Sequence, residues 1–278
     1  MSTSPIARDS PRLVATDLDG TLLRSDGTVS DRTRSTLQRV SDSGVPIVLV
    51  TGRPTRMMRP VAEAVGHTGL AVCANGAVVY DLENMQTVDT FTLAPEHSVA
   101  VADAVREALP DTTFAVELMT ESALREHSYP GLERVDVPVS TLADMLREPV
   151  VKLLIRHPEM DPDTLLLQAR KAAGSFAEFT HSSHDGLLEV SATGITKAST
   201  LAVVADRFGL EPHQVVAFGD MPNDLPMLTW AGHAYSMPRA HPEVLASVDL
   251  RAPSNDDDGV AQVLEDLYDL PAESCERD

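Results

Sequence analysis

Short apolar runs alternate with helix-patterned segments along the first part of the chain. Leu13-Val14-Ala15-Thr16, Val45 to Val50 (VPIVLV) and Leu70 to Ala74 (LAVCA) are apolar at consecutive positions, as strands buried on both faces of a parallel sheet are. Between the first two, Ser30 heads a helix with Thr33, Leu37 and Val40 on one face and Gly44 past its end; serine caps and terminal glycines mark helix ends. A second helix covers roughly Pro54 to Val65. Strand, helix, strand, helix, strand predicts right-handed βαβ units.

The pattern returns after Lys197. Leu201, Val204, Ala205 and Phe208 recur at helical spacing before Gly209, Val215 to Phe218 (VVAF) is another buried strand, and Asp224 to Trp230 is helical. His233-Ala234-Tyr235 and Val248-Asp249-Leu250 complete the sheet. The middle has a different texture. Thr87–Leu93 and Thr112–Met119 read as strands of a more exposed sheet, with helices at Pro95–Leu109 and Ser140–Arg147. Val150–Ile155 is a strand and Asp163–Ala173 a helix, while Phe176–Ser182 and Leu187–Ser191 flank a hairpin signal at His184-Asp185-Gly186. The expected fold is α/β: a Rossmann-like parallel-sheet core over 11–82 and 191–270, split by an inserted α+β unit over 83–190, with flexible tails at 1–10 and 271–278.

A net charge of −20 argues against nucleic acid or an anionic membrane as partner, since both select basic surface. It does not exclude a small anionic ligand, because distant surface charge is screened within roughly 8 Å at physiological salt. Cys73 and Cys275 form no disulfide framework. Without an apolar leader or a membrane-length run, the expected setting is the cytoplasm.

The polar motifs all fall at carboxyl ends of predicted strands. Asp17-Leu18-Asp19-Gly20-Thr21 follows the first strand, Thr51-Gly52-Arg53 the second, Asn75-Gly76 the third, and Gly219-Asp220-Met221-Pro222-Asn223-Asp224 the strand VVAF. Open parallel sheets bind ligands along this edge. Asp17, Asp19, Thr51, Asn75, Asp220 and Asp224 therefore share one rim. Clustered carboxylates there ask for a hard cation, and an all-oxygen set favours Mg²⁺. Lys197, opening its helix, adds a positive charge and free backbone N–H groups. Cation, lysine, threonine hydroxyl and helix N-terminus together describe a pocket for a phosphoryl group, and so a small phosphorylated substrate.

These motifs, in this order, resemble the haloacid dehalogenase-like superfamily, and within it the Cof-type (IIB) branch of sugar-phosphate phosphatases. The resemblance runs from Leu13 to about Leu264, with Asn75-Gly76-Ala77 and the Asn255–Val260 segment also similar. It implies that the 83–190 insertion is a cap of the C2B type over a phosphatase site. Asp17 would be the nucleophile, carrying the phosphoryl group as an aspartyl-phosphate, and Asp19 the acid and then the base. Thr51 and Lys197 would hold phosphoryl oxygens, with Gly52, Asn75 and Asn223 binding substrate. Mg²⁺ would be bound by Asp17, the Asp19 carbonyl, Asp220 and Asp224.

A phosphohexomutase on the same core, a non-catalytic phosphate-binding module and a phosphoaspartate receiver are the other readings. Both Asp17 and Asp19 are present, which a mere binder does not need, and a receiver needs no cap. Against a mutase, the insertion's cations (Arg106, Arg125, Arg134, Arg147, Lys152, Arg156, Arg170 and Lys171) look scattered. Arg239, where the branch commonly has a neutral amide, reads as a surface residue. Ser254, Asp256, Asp258, Gly259 and Glu265 mimic calcium-loop spacing, but a serine at the first position and no incoming helix favour a capping loop. His181 and His184 read as exposed hairpin residues rather than metal ligands.

Overall fold

The structure is a computed structural model that describes residues 10–66, 69–130, 137–182 and 186–270. Apart from Ser10, the expected tails lie outside the described residues, as does His184. The first stretch supplies β1 (Leu13–Thr16), α1 (Asp31–Asp42), β2 (Ile47–Val50), α2 (Met58–Val65), β3 (Leu70–Cys73), β4 (Val78–Asp81) and β5 (Gln86–Thr90). The middle supplies α3 (Pro95–Ala108), β6 (Thr113–Leu118), β7 (Ala123–Arg125), α4 (Leu142–Met145), β8 (Val150–Arg156), α5 (Pro162–Ala173), β9 (Glu178–Thr180) and β10 (Leu187–Ser191). The last stretch supplies α6 (Lys197–Arg207), β11 (Val215–Gly219), α7 (Leu225–Trp230), β12 (His233–Ser236), α8 (Pro242–Ser247), β13 (Leu250–Arg251) and α9 (Gly259–Leu267).

Eight strands form one sheet in the order β13-β12-β11-β1-β2-β3-β4-β5. It is parallel from β13 through β3, and β4 and β5 extend it antiparallel. The double-sided apolar strands explain its two cores. Val14, Ile47, Leu49, Val216 and Phe218 face one side with α1, α2 and α9, whereas Leu13, Ala15, Val48, Val50, Val215 and Ala217 face the other with α6 and α7. Ser30 caps α1 as its sequence predicts, its side chain accepting the Thr33 N–H.

The second sheet, β7-β6-β8-β10-β9, is antiparallel. Phe114, Val116, Leu153, Ile155, Leu188 and Val190 turn one face onto α3 and α5. The opposite face carries Glu117, Lys152, Leu154, Arg156 and Glu189 toward the large sheet's rim, the period-two consequence of pleating.

Two expectations change. The strand expected in the second sheet at Thr87–Leu93 is β5, the edge of the large sheet. The cause is local. The Asp81 carboxylate accepts the N–H groups of Glu83 and Asn84 and the Asn84 side-chain amide, and such a turn folds β5 back onto β4. The helix expected over Ser140–Arg147 is the single turn α4, capped by Thr141. The acidic segment near Ser254 is a polar loop in which Ser254 caps a short 3₁₀ turn by accepting the Asp256 N–H, Asp258 pairs with Arg24 and Asp256 accepts from Ser25. Asp258, at the N-terminus of α9, bonds none of that helix's N–H groups through its side chain. Among the described residues, no helix is long and apolar enough to cross a membrane.

Candidate active site

Because β11, β1, β2 and β3 are neighbours, the loops after them emerge side by side. Asp17 follows β1, and its N–H donates to the Phe218 carbonyl at 3.0 Å. Lys197, the first residue of α6, is fully buried in its side chain and donates to Asp17 Oδ1 at 2.5 Å and Asp224 Oδ1 at 2.6 Å. The other Asp224 oxygen accepts the N–H groups of Asp220 and Met221, each at 3.0 Å. Thr21 donates to Asp220 Oδ1 at 3.0 Å. One carboxylate oxygen from each of Asp17, Asp220 and Asp224 lies within 4.8 Å of the others.

The electrostatics of this group are unbalanced. Burial pushes the Asp17 carboxyl well above its usual value, with Asp224 and Asp220 adding to the effect and Lys197 opposing it. Burial, then Asp224, pushes Asp220 up to about 7, against Thr21 and Lys197. Burial disfavours the charge on Lys197, but Asp17 and Asp224 outweigh it and hold the ammonium above the ordinary lysine value. Three carboxylates facing one ammonium favour a further cation or retained protons. The all-oxygen donor set and its spacing fit a hard divalent ion.

Asp19 diverges from Asp17. Its carboxylate is 60% exposed and grips Arg53 in a bidentate pair at 2.8 and 2.5 Å, outside the Asp17–Asp220–Asp224 group. Asp19 sits in the turn Leu18–Thr21, closed by the Thr21 N–H on the Leu18 carbonyl, and the next residue of that turn, Gly20, has φ +78°, where a Cβ would stand 2.5 Å from Asp220 Oδ2. Gly20→Ala is therefore expected to lower stability by about 1 kcal/mol through the left-handed backbone. It should also cut kcat/KM by about tenfold or more by displacing the Asp220 carboxylate. Thermal unfolding and steady-state kinetics on the one variant check both.

Thr51 is buried at the end of β2. Its hydroxyl oxygen accepts the Arg53 N–H at 3.0 Å and its carbonyl accepts the Asn75 N–H at 3.0 Å. Asn75 adopts a left-handed backbone, and its side-chain oxygen accepts from Asn223 Nδ2 at 3.0 Å. That leaves Asn223 Oδ1 buried without a hydrogen-bond partner. A Cβ on Gly52 would lie 3.1 Å from Asn75 Oδ1 and 3.3 Å from Glu189 Oε1, so only glycine lets this turn meet the second sheet without a shift.

A cleft of about 340 Å³ separates the rim from that sheet, lined by Asp17, Asp19, Thr51, Gly52 and Asn223 on one side. The other side holds groups whose role the sequence pattern hid. Lys152 and Arg156, taken as scattered surface cations, sit on one face of β8 and line the cleft. Lys152 bonds Glu189 at 2.5 Å and the Gly52 carbonyl at 2.6 Å, and Ser182 donates to the second Glu189 oxygen at 2.6 Å. Burial alone would raise the Glu189 carboxyl, but Lys152 and Ser182 hold it below its usual value. Arg56 pairs with Glu117 across the same gap. His181 is buried, not exposed: its ring meets Asp163. Arg239 is exposed, as expected.

Residues 14–264 match the family model for haloacid dehalogenase-like hydrolases. The chain belongs to that family. It is 31% identical over 246 residues to an HMP-PP phosphatase of Enterobacter sp. (strain 638), covering 85% of this chain and 88% of the relative. It is 28% identical to the 5-amino-6-(5-phospho-D-ribitylamino)uracil phosphatase YitU of Bacillus subtilis, covering 94% and 98%. Among solved structures, SMU.1108c of Streptococcus mutans superposes with a TM-score of 0.81 at 23% identity, covering 92% of this chain and 98% of that one. That likeness is one of fold.

Proposed function

We propose that the protein is a Mg²⁺-dependent phosphatase that hydrolyses small phosphorylated metabolites, sugar phosphates foremost, through an aspartyl-phosphate on Asp17. The observation that carries this is Lys197, buried between Asp17 and Asp224 with Asp220 alongside. A nucleophilic carboxylate needs an adjacent cation to approach an anionic phosphoryl group. The relatives named as phosphatases of phosphorylated small molecules support the same class.

In this reading an Asp17 carboxylate oxygen attacks phosphorus and the ester P–O bond breaks. Asp19, at the cleft mouth, acts once it has left Arg53 and taken up a proton from solvent, which it gives to the departing alcohol oxygen. Asp19 then takes a proton from water as that water attacks the aspartyl-phosphate, freeing Asp17 and inorganic phosphate. Lys197 and Thr51 steady the phosphoryl oxygens, and the unpartnered Asn223 oxygen and Gly52 face the substrate. Asp17, Asp220, Asp224 and the Asp19 carbonyl would hold Mg²⁺, which when bound neutralises charge on the transferring group. Chelation with excess EDTA is expected to lower turnover by about a hundredfold or more, with recovery on adding Mg²⁺. Full turnover in metal-stripped protein would count against the cation.

The five-stranded unit, beginning after β5, acts as the cap. Its cleft-lining Lys152 is neutralised by Glu189, and Arg56 opposite it by Glu117. With these two so paired, Arg156 is not joined in the cleft, among the described residues, by a second cap cation to anchor the second phosphate that a mutase must hold during reorientation, so water is the expected acceptor. Incubating a hexose 1-phosphate and following products by phosphorus NMR tests this. Inorganic phosphate is expected; accumulation of hexose 6-phosphate with little free phosphate would favour the mutase.

A further inference from the structure

Away from the cleft, a second polar cluster joins the two sheets' units. Asp163, in the first turn of α5, receives two histidine rings. His181, just after β9, places Nε2 2.8 Å from Asp163 Oδ1, and His241, preceding α8, places Nε2 3.3 Å from Asp163 Oδ2. The rings meet edge to face at 5.6 Å. His241 belongs to the large-sheet unit, and its backbone N–H donates to the Asp220 carbonyl at 2.8 Å.

The hydrogen bonds assign the proton on His241. Its Nδ1 accepts the Glu243 N–H at 3.3 Å, capping α8. Nδ1 must then carry the lone pair and Nε2 the proton. An Nε2–H donates to Asp163 and offers no lone pair to a metal, so the trio is a hydrogen-bonded contact between units and not a metal centre. The two histidines hold the Asp163 carboxyl below its usual value against partial burial.

We propose that Asp163 is a positioning residue, which through His241 ties α5 of the cap to the loop carrying Asp220 and so holds the cap over Asp17. Its kinetic consequence rests on the phosphatase reading. If substrate binds productively only under the closed cap, apparent KM scales inversely with the closed fraction, whereas kcat, read from the closed complex, stays in place. Losing the latch thus weakens apparent binding without touching the chemical step.

Three variants separate latch from scaffold. Asp163→Ala removes the acceptor. His241→Asn keeps a good cap for α8 but falls short of Asp163. His241→Gln extends an amide N–H to where Nε2–H stood. With Mg²⁺ and a phosphate ester that the wild type hydrolyses, Asp163→Ala and His241→Asn are expected to raise KM about tenfold with kcat within about twofold, and His241→Gln to keep wild-type KM. Cap position is read independently of activity from spin labels on Leu167→Cys in α5 and Val203→Cys in α6, both exposed, with Cys275→Ser. Buried Cys73, whose thiol burial pushes up to about 12, stays unlabelled. The label distance should lengthen in Asp163→Ala and His241→Asn and not in His241→Gln. An unchanged distance in the first two, or equal effects of Asn and Gln at 241, would overturn the latch. A wild type that hydrolyses no ester defeats the phosphatase reading alone, and the distances still decide the latch.

Discussion

Asp17→Asn is expected to reduce phosphate release by about 10⁴-fold or more while leaving the protein folded. The amide keeps the shape of the carboxylate, and its oxygen still accepts from Lys197, but it cannot attack phosphorus. Stability should hold because burial already disfavours charge on Asp17. The unfolding midpoint is therefore expected within about 3 °C of wild type. Quantifying inorganic phosphate in single-turnover and steady-state assays, beside a thermal melt, checks both halves. Near wild-type turnover in a clean Asp17→Asn preparation would remove Asp17 as nucleophile.

Lys197→Met is expected to damage fold and activity together. Its ammonium is the cation between Asp17 and Asp224, with both partners buried. Methionine fills similar volume but leaves the carboxylates facing one another. Breaking a buried pair by removing one partner costs about 3–5 kcal/mol, which for a chain of this size lowers the midpoint by about 10 °C. Added Mg²⁺ should recover part of that loss by supplying charge to the same carboxylates, yet turnover should stay about 10³-fold down because the phosphoryl oxygens lose their ammonium partner. Melts with and without Mg²⁺ check the sign. A midpoint unmoved by the substitution would mean that the buried contact is not holding this site together.

The rim was legible in the sequence because its signals are local. β1, β2, β3 and β11 are apolar at consecutive positions, and each polar motif begins where such a run stops. The β4–β5 hairpin was not read, since β5 is mostly polar and its cause is a side-chain turn at Asp81. Lys152 and Arg156 looked like stray cations because β8 presents them on alternate positions of an apolar run. Only its pairing with β6 and β10 brings Glu117 and Glu189 beside them. His181 read as solvent-exposed for a related reason: His241, which joins it at Asp163, comes from a different sheet's unit. Contacts assembled across sheets leave no periodic trace in one segment. Asp17 and Asp19 show the opposite limit: strand alternation places both at the cleft, but the chain turns over Leu18–Thr21, and Asp19 in that turn reaches Arg53 instead.

The most direct test is phosphate release by the wild-type protein, with Mg²⁺, across sugar phosphates, nucleotides, flavin phosphates and pyrimidine phosphates, each run beside Asp17→Asn. Stoichiometric inorganic phosphate from one or more small monoesters, abolished by Asp17→Asn and by chelation, is the expected result. No release above the Asp17→Asn background from any compound in the panel would contradict the assignment of this site as a phosphatase.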